Sequence, residues 1–205
     1  MIGQTFPKLN VFNVDKLTPS NRLVHGTVTD KSILKILNNF IQKKSYIKKV
    51  PSPWKSSNVK QNISSKALYK ILNQKKDIPR AKGEYSTMLI HQTEFHSDIV
   101  ELLSTEVFKT HSIILSGFYL YEQNQSMMWH TNSNEPGLRL YLTYAPESKK
   151  SFFRYMDHNE EIITSHDNEG WTYRVFEASI EKPLWHCVYS DTERYSIGFR
   201  IFDNL

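Results

Sequence analysis

From Ser112 to Phe202 the chain runs through eight short segments of β-branched and aromatic residues, each followed by turn residues. They are SIILSGFYLYEQ, SMMWHT, LRLYLTYA, SFFRYM, EIITS, WTYRVFEA, WHCVYS and RYSIGFRIF. Many short strands at regular spacing restrict the fold to a sandwich or barrel. In LRLYLTYA, Leu138, Leu140, Leu142 and Tyr144 share one face, and Arg139, Tyr141 and Thr143 share the other. A strand with Arg and Tyr on its second face predicts the wall of a polar cavity.

Upstream the spacing is helical. Residues 1–20 read as irregular, and RLVHGTVTD, Arg22 to Asp30, reads as a strand. Asp30 then caps KSILKILNNFIQKK, where Ile33, Leu34, Ile36, Leu37, Phe40 and Ile41 recur on one side. SYIKKVPSPWKSSNVKQN reads as an exposed loop around Pro51 and Pro53. Ser64 or Ser65 opens a second helix with Ala67, Leu68, Ile71 and Leu72 on one face. EYSTMLIHQ, Glu84 to Gln92, is a further strand, and a third helix starts at a cap on Ser97. The expected organisation is a basic, partly helical region over 1–83 packing on a β core over 84–205, with the helices covering one outer face.

The 205 residues suit one domain, and 39% hydrophobic content is enough for a core. There is no apolar run long enough for a membrane span, and MIGQTFPKLNVFNVDKL lacks the pattern of a secretory signal. The single cysteine, Cys187, excludes an internal disulfide framework and a cysteine-rich zinc module. It fits a reducing, cytoplasmic compartment. Abundant Lys, Asn and Ile suggest an AT-rich genome, such as that of a phage or an intracellular bacterium. Residues 1–80 hold 16 Lys+Arg against 3 Asp+Glu, a charge of +13, while residues 81–205 carry −8. Such a segment either meets an acidic partner, nucleic acid included, or packs against its own acidic second part. No nucleic-acid motif is present, so the second reading is favoured.

The residues able to do chemistry fall in a set order. Tyr121 precedes His130-Thr131-Asn132 by nine residues. About fifty residues later, PLWHCVYSDTERYSIGFR brings His186, then Arg194-Tyr195-Ser196, then Arg200. Taken singly, each is an ordinary strand residue, and only the order on successive strands carries weight.

This ordered set resembles the iron(II)/2-oxoglutarate-dependent dioxygenase family, in its prolyl-hydroxylase-like branch. The resemblance covers roughly Ser112 to Phe202. It implies a mainly β, α+β fold: a double-stranded β-helix, the cupin-like jelly roll, with flanking helices. It also implies Fe(II) held by His130, Asn132 and His186, and 2-oxoglutarate held by Tyr121, Arg194 and Ser196. In that family two imidazoles and one carboxylate on one face of Fe(II) leave three positions open, two for the keto acid and one for dioxygen. Arginine suits the far carboxylate because it pairs bidentately and keeps its charge. Ascorbate is the expected reductant, and the expected activity is hydroxylation of an unidentified substrate, such as a peptide or protein side chain.

Asn132 departs from the family pattern, which has Asp or Glu there. Four readings stay open. Asn132 ligates through its amide oxygen; a carboxylate such as Glu135, Asp157 or Asp167 substitutes; the position is open, as in members that hold a halide there and halogenate; or the site no longer binds metal and the chain is a non-catalytic binding or structural protein. Arg139, Tyr141, Arg154 and Arg200 are candidate substrate or cosubstrate contacts. Alternation puts Arg194, Ser196, Gly198 and Arg200 on one face. Trp129, Trp171 and Trp185 read as core, and Cys187 as buried and inert.

Overall fold

The computed structural model describes residues 11–43, 49–50, 59–74, 87–89 and 93–203. Most of the loop expected at SYIKKVPSPWKSSNVKQN, and the ends of the strand expected over Glu84 to Gln92, lie outside them. The described residues form the strands β1 (Leu23–Thr27), β2 (Lys49–Val50), β3 (Thr87–Leu89), β4 (His111–Tyr121), β5 (Gln125–His130), β6 (Gly137–Ala145), β7 (Ser151–Met156), β8 (Ile162–His166), β9 (Gly170–Ala178), β10 (His186–Ser190) and β11 (Arg194–Asp203). They form a major sheet ordered β1-β9-β6-β11-β4-β3-β2 and a minor sheet ordered β5-β10-β7-β8. All the pairings are antiparallel. Two such sheets face to face make the jelly-roll sandwich of a double-stranded β-helix.

The helices are α1 (Lys31–Gln42), α2 (Val59–Asn62), α3 (Ser65–Asn73) and α4 (Thr93–Leu102), the last continued by a π-turn over Leu103–Val107. Asp30 caps α1, its carboxylate accepting from the amides of Ser32 and Ile33 at 2.9 Å. Ser64 caps α3 by accepting from Ala67 N. The α4 helix begins at Thr93 rather than at the Ser97 cap. Phe95 explains the earlier start, because it extends the apolar stripe one turn upstream of Ile99 and packs on Phe40 at 4.6 Å.

Helices cover both outer faces of the sandwich, not one. Ile33, Leu37 and Phe40 of α1 and Ile99 of α4 pack with Leu140, Ile197 and Phe199 of the major sheet. Leu68 of α3 packs with Trp129, Cys187 and Tyr189 of the minor sheet. Trp129 Nε1 donates to Ser64 O at 2.9 Å, which fixes the turn before α3 to β5. The tryptophan and the thiol are therefore core. A third cluster, with Tyr121, Met127, Phe153 and Phe176, fills the space between the sheets.

Both faces of β6 and β11 follow alternation. Leu138, Leu140 and Leu142 pack toward the helices, while Arg139, Tyr141 and Thr143 face the minor sheet. A bulge on β4 interrupts the pairing, with Gly198 opposite Gly117 and Phe199 opposite Leu115. The extra residue, Ser116, lines the cavity between the sheets. No described helix is long and apolar enough to cross a membrane.

Candidate functional site

His130 ends β5 and His186 begins β10, and the two are register partners. Their rings lie 4.1 Å apart between centroids, at 57°. Each ring is fixed by its own chain. His130 Nδ1 lies 2.6 Å from Met128 O, and His186 Nδ1 lies 2.8 Å from Leu184 O. A carbonyl only accepts, so each Nδ1 carries the proton and each Nε2 keeps a lone pair. That tautomer is the one a metal-binding imidazole needs. His186 is fully buried, and its Nε2 has no hydrogen-bond partner. Burial, then the neighbouring His130, holds the His186 pKa well below its ordinary value. Phe153 stacks on the His186 ring at 4.9 Å and Phe176 lies at 5.3 Å, so the ring has little freedom.

Asn132 lies two residues beyond His130, on the loop into β6. Its Nδ2 donates to Tyr141 Oη at 2.8 Å, which leaves the oxygen of the amide for another partner. His130, Asn132 and His186 line one cavity of about 40 Å³ with Arg139, Tyr141, Tyr121 and Ser196. None of the three carboxylates considered from the sequence joins the pair. Glu135 lies against Arg139 at 3.7 Å, and Asp157 accepts from the amides of Asn159 and Glu161. Asp167 is held by arginines. Among the described residues, no group of three or more His, Cys, Asp or Glu is placed to hold a metal.

Arg194 stands opposite Tyr121 in register, its guanidinium 5.2 Å over the tyrosine ring. Its Nε donates to Asp167 Oδ2 at 2.8 Å and its Nη2 to Thr143 Oγ1 at 3.3 Å. Its Nη1 is buried without a partner. Asp167 also accepts from Arg174 Nη1 at 2.6 Å and Ser151 Oγ at 2.5 Å. Burial pushes the Asp167 carboxyl up, but the two guanidiniums and the two hydrogen bonds outweigh it and hold it well below the usual carboxylate range. Two guanidiniums share one carboxylate, which leaves a buried excess of positive charge. Sequence reasoning missed Arg174. The signal available was its place between Thr172 and Phe176 on alternation in WTYRVFEA.

Ser196 follows Arg194 on the same face and lines the cavity. Arg139 also lines it, while Arg200, its register partner, is half-buried beside it with its guanidinium 5.2 Å over the Phe202 ring. Arg154 is not brought to the cavity. It lies on the outer face of the minor sheet, donating to Thr164 Oγ1 at 2.9 Å and to Ile63 O at 3.0 Å. Alternation explains this: Phe153 and Tyr155 take the inner face of β7, and Arg154 takes the outer one.

No protein-family model and no curated protein sequence matches this chain. Solved structures do match. A prolyl-4-hydroxylase from Pseudomonas putida is 10% identical with a TM-score of 0.51, covering 89% of this chain and 93% of its own. A prolyl hydroxylase from Trichoplax adhaerens, in complex with a hypoxia-inducible-factor oxygen-degradation-domain peptide, is 12% identical with a TM-score of 0.54, covering 95% and 89%. An oxidoreductase of the 2OG-Fe(II) oxygenase family from Burkholderia pseudomallei is 11% identical with a TM-score of 0.55, covering 88% and 85%. At these identities the likeness is one of fold: the chain has the double-stranded β-helix that these hydroxylases and oxygenases share.

Proposed function

We propose that the protein is an Fe(II)- and 2-oxoglutarate-dependent oxygenase that hydroxylates a peptide or protein side chain in a reducing, cytoplasmic compartment. One observation carries this reading. Two buried imidazoles face each other inside the sandwich, each with Nδ1 committed to a backbone carbonyl, and His186 Nε2 is left without a partner. A buried, unpaired ring nitrogen is unfavourable unless something occupies it.

His130, His186 and the amide oxygen of Asn132 are the residues that would hold Fe(II). Arg194 through Nη1, with Ser196 and Tyr121, would hold the distal carboxylate of 2-oxoglutarate. Fe(II) with 2-oxoglutarate supplies the activation of dioxygen that no side chain can supply. The chain's own contributions are rigid rings, excluded water and fixed positive charge. Phe153 and Phe176 lock His186, Thr143 and Asp167 aim Arg194, and the Tyr141 hydroxyl orients the Asn132 amide.

The peptide reading draws on the jelly-roll neighbour solved with a bound peptide. The test is conversion of 2-oxoglutarate to succinate by protein supplied with Fe(II), ascorbate and oxygen, in the presence of peptide pools. His130→Ala is the control. Turnover lost in His130→Ala supports the reading, and no succinate from any pool contradicts it.

A second reading has its own observation. Among the described residues no carboxylate joins the histidine pair, and hard cations favour carboxylate oxygen over amide. On that reading the chain is a non-catalytic binding protein on an oxygenase fold. It binds no Fe(II), and its function survives His130→Ala.

A further inference from the structure

Arg139 and Arg200 stand directly opposite each other on β6 and β11. Both belong to the face of the major sheet turned toward the cavity. Like charges directly opposite on neighbouring strands are destabilising, so this pairing does not serve the sheet. Arg139 is 2% exposed and lines the cavity beside His130 and His186. Its Nη2 donates to the backbone carbonyl of Glu135 and lies 3.7 Å from that residue's carboxylate. Its Nε is buried with no partner. Arg200 repeats the pattern, with a buried Nε that also has no partner. Among the described residues, the Glu135 carboxylate, 44% exposed, is the one anion paired with Arg139.

Gly137, at the start of β6, has φ +134°, a region that favours glycine, and a Cβ there would sit 3.2 Å from Ile201 O of β11. The pair is also separate from the Arg194 cluster. Arg194 and Arg200 are six residues apart on one strand, or about 20 Å at strand rise. One small diacid cannot place a single carboxylate at both ends.

We propose that Arg139, on the cavity wall, and Arg200, beside it over the Phe202 ring, form an anion subsite at the margin of the cavity, and that the substrate carries a carboxylate seated there. The choice of anion follows from the donors. Two unpaired N–H groups from separate guanidiniums match the two oxygens of a planar carboxylate, whereas a phosphate would leave further oxygens buried without donors. The assignment of this anion to a substrate rests on the oxygenase reading, while the subsite itself does not.

The experiment observes the arginine Nε–H signals by NMR, assigned with Arg139→Gln and Arg200→Gln. The protein is loaded with Zn(II), as a diamagnetic stand-in for Fe(II), and with 2-oxoglutarate. It is then titrated with acetate. The expected result is a saturable shift of both the Arg139 and Arg200 signals with no shift at Arg194. Arg200→Gln should weaken acetate binding about tenfold or more, the worth of one hydrogen bond to a charged group. Two results overturn the proposal: neither signal moves, or the two signals respond to acetate only in a parallel sample without 2-oxoglutarate, which would give the pair to the cosubstrate. Failure of the metal reading shows elsewhere, as unchanged His130 and His186 imidazole signals on adding Zn(II). The acetate response of Arg139 and Arg200 in that metal-free protein would still decide the subsite.

Discussion

Arg194 and Asp167 form an ion pair sealed inside the sandwich, with Nε 2.8 Å from Oδ2 and neither side chain more than 1% exposed. Arg174 binds the other carboxylate oxygen at 2.6 Å. Asp167→Asn strips the charge that holds two buried guanidiniums together. Breaking a buried pair from one side costs about 3–5 kcal/mol. Urea denaturation of the variant should show a loss of that size. A loss in the range of a surface pair, about 1 kcal/mol or less, would mean the triad is not as dry as described.

The same carboxylate sets an acid limit. Its folded pKa lies well below the usual range because two guanidiniums outweigh the effect of burial. A depressed carboxyl contributes stability that is present above its unfolded pKa, about 3.9, and is lost as pH falls toward the folded value. Unfolding free energy should therefore decline below about pH 4. In Asp167→Asn that part of the acid slope should vanish. An identical slope in both proteins would assign it to other carboxylates.

Asn132→Asp puts a carboxylate where the proposed function places the third ligand. Tyr141 donates to a carboxylate as readily as it accepts from an amide, so folding stability should change by no more than about 1 kcal/mol. Mn(II) affinity by calorimetry should rise in the variant. Unchanged affinity would mean that residue 132 does not touch the metal.

Gly198 leaves space for the Tyr141 ring. A Cβ there would sit 3.0 Å from Tyr141 Cε1 and 3.2 Å from Ser116 Oγ. Gly198→Ala should cost about 1–3 kcal/mol through overpacking and displace the ring that holds Asn132. Chemical denaturation checks the first effect and metal titration the second. A fully stable variant with wild-type metal affinity would contradict this coupling.

Cys187 lies on the far side of β10 from His186, packed under α2 and α3, and burial raises its thiol pKa. A thiol reagent should label it only as fast as the chain opens. Rapid labelling of the native protein would place the thiol at the surface.

Local signals in the sequence were legible where a single segment sets them. The Asp30 and Ser64 caps and the two faces of β6 follow from side chains within a few residues. The histidine pair was legible through order alone, because β5 and β10 neighbour each other in a jelly roll. The rest depended on distant contacts. Asp167 reads as a carboxylate able to stand in for the third metal ligand until β9 and β11 bring Arg174 and Arg194 to it. Arg154 reads as a cavity residue until the face of β7 is known. The coverage of both outer faces depends on where Leu68 and Trp129 meet, which no periodicity announces.

The most direct measurement is anaerobic titration of the protein with Fe(II) and 2-oxoglutarate, followed by visible absorption. The account predicts the charge-transfer band of a chelated keto acid, abolished by His130→Ala and by His186→Ala and weakened by Arg194→Ala. No band, together with no heat of Fe(II) binding in calorimetry, would contradict it. The histidine pair would then be a packing feature of a binding protein.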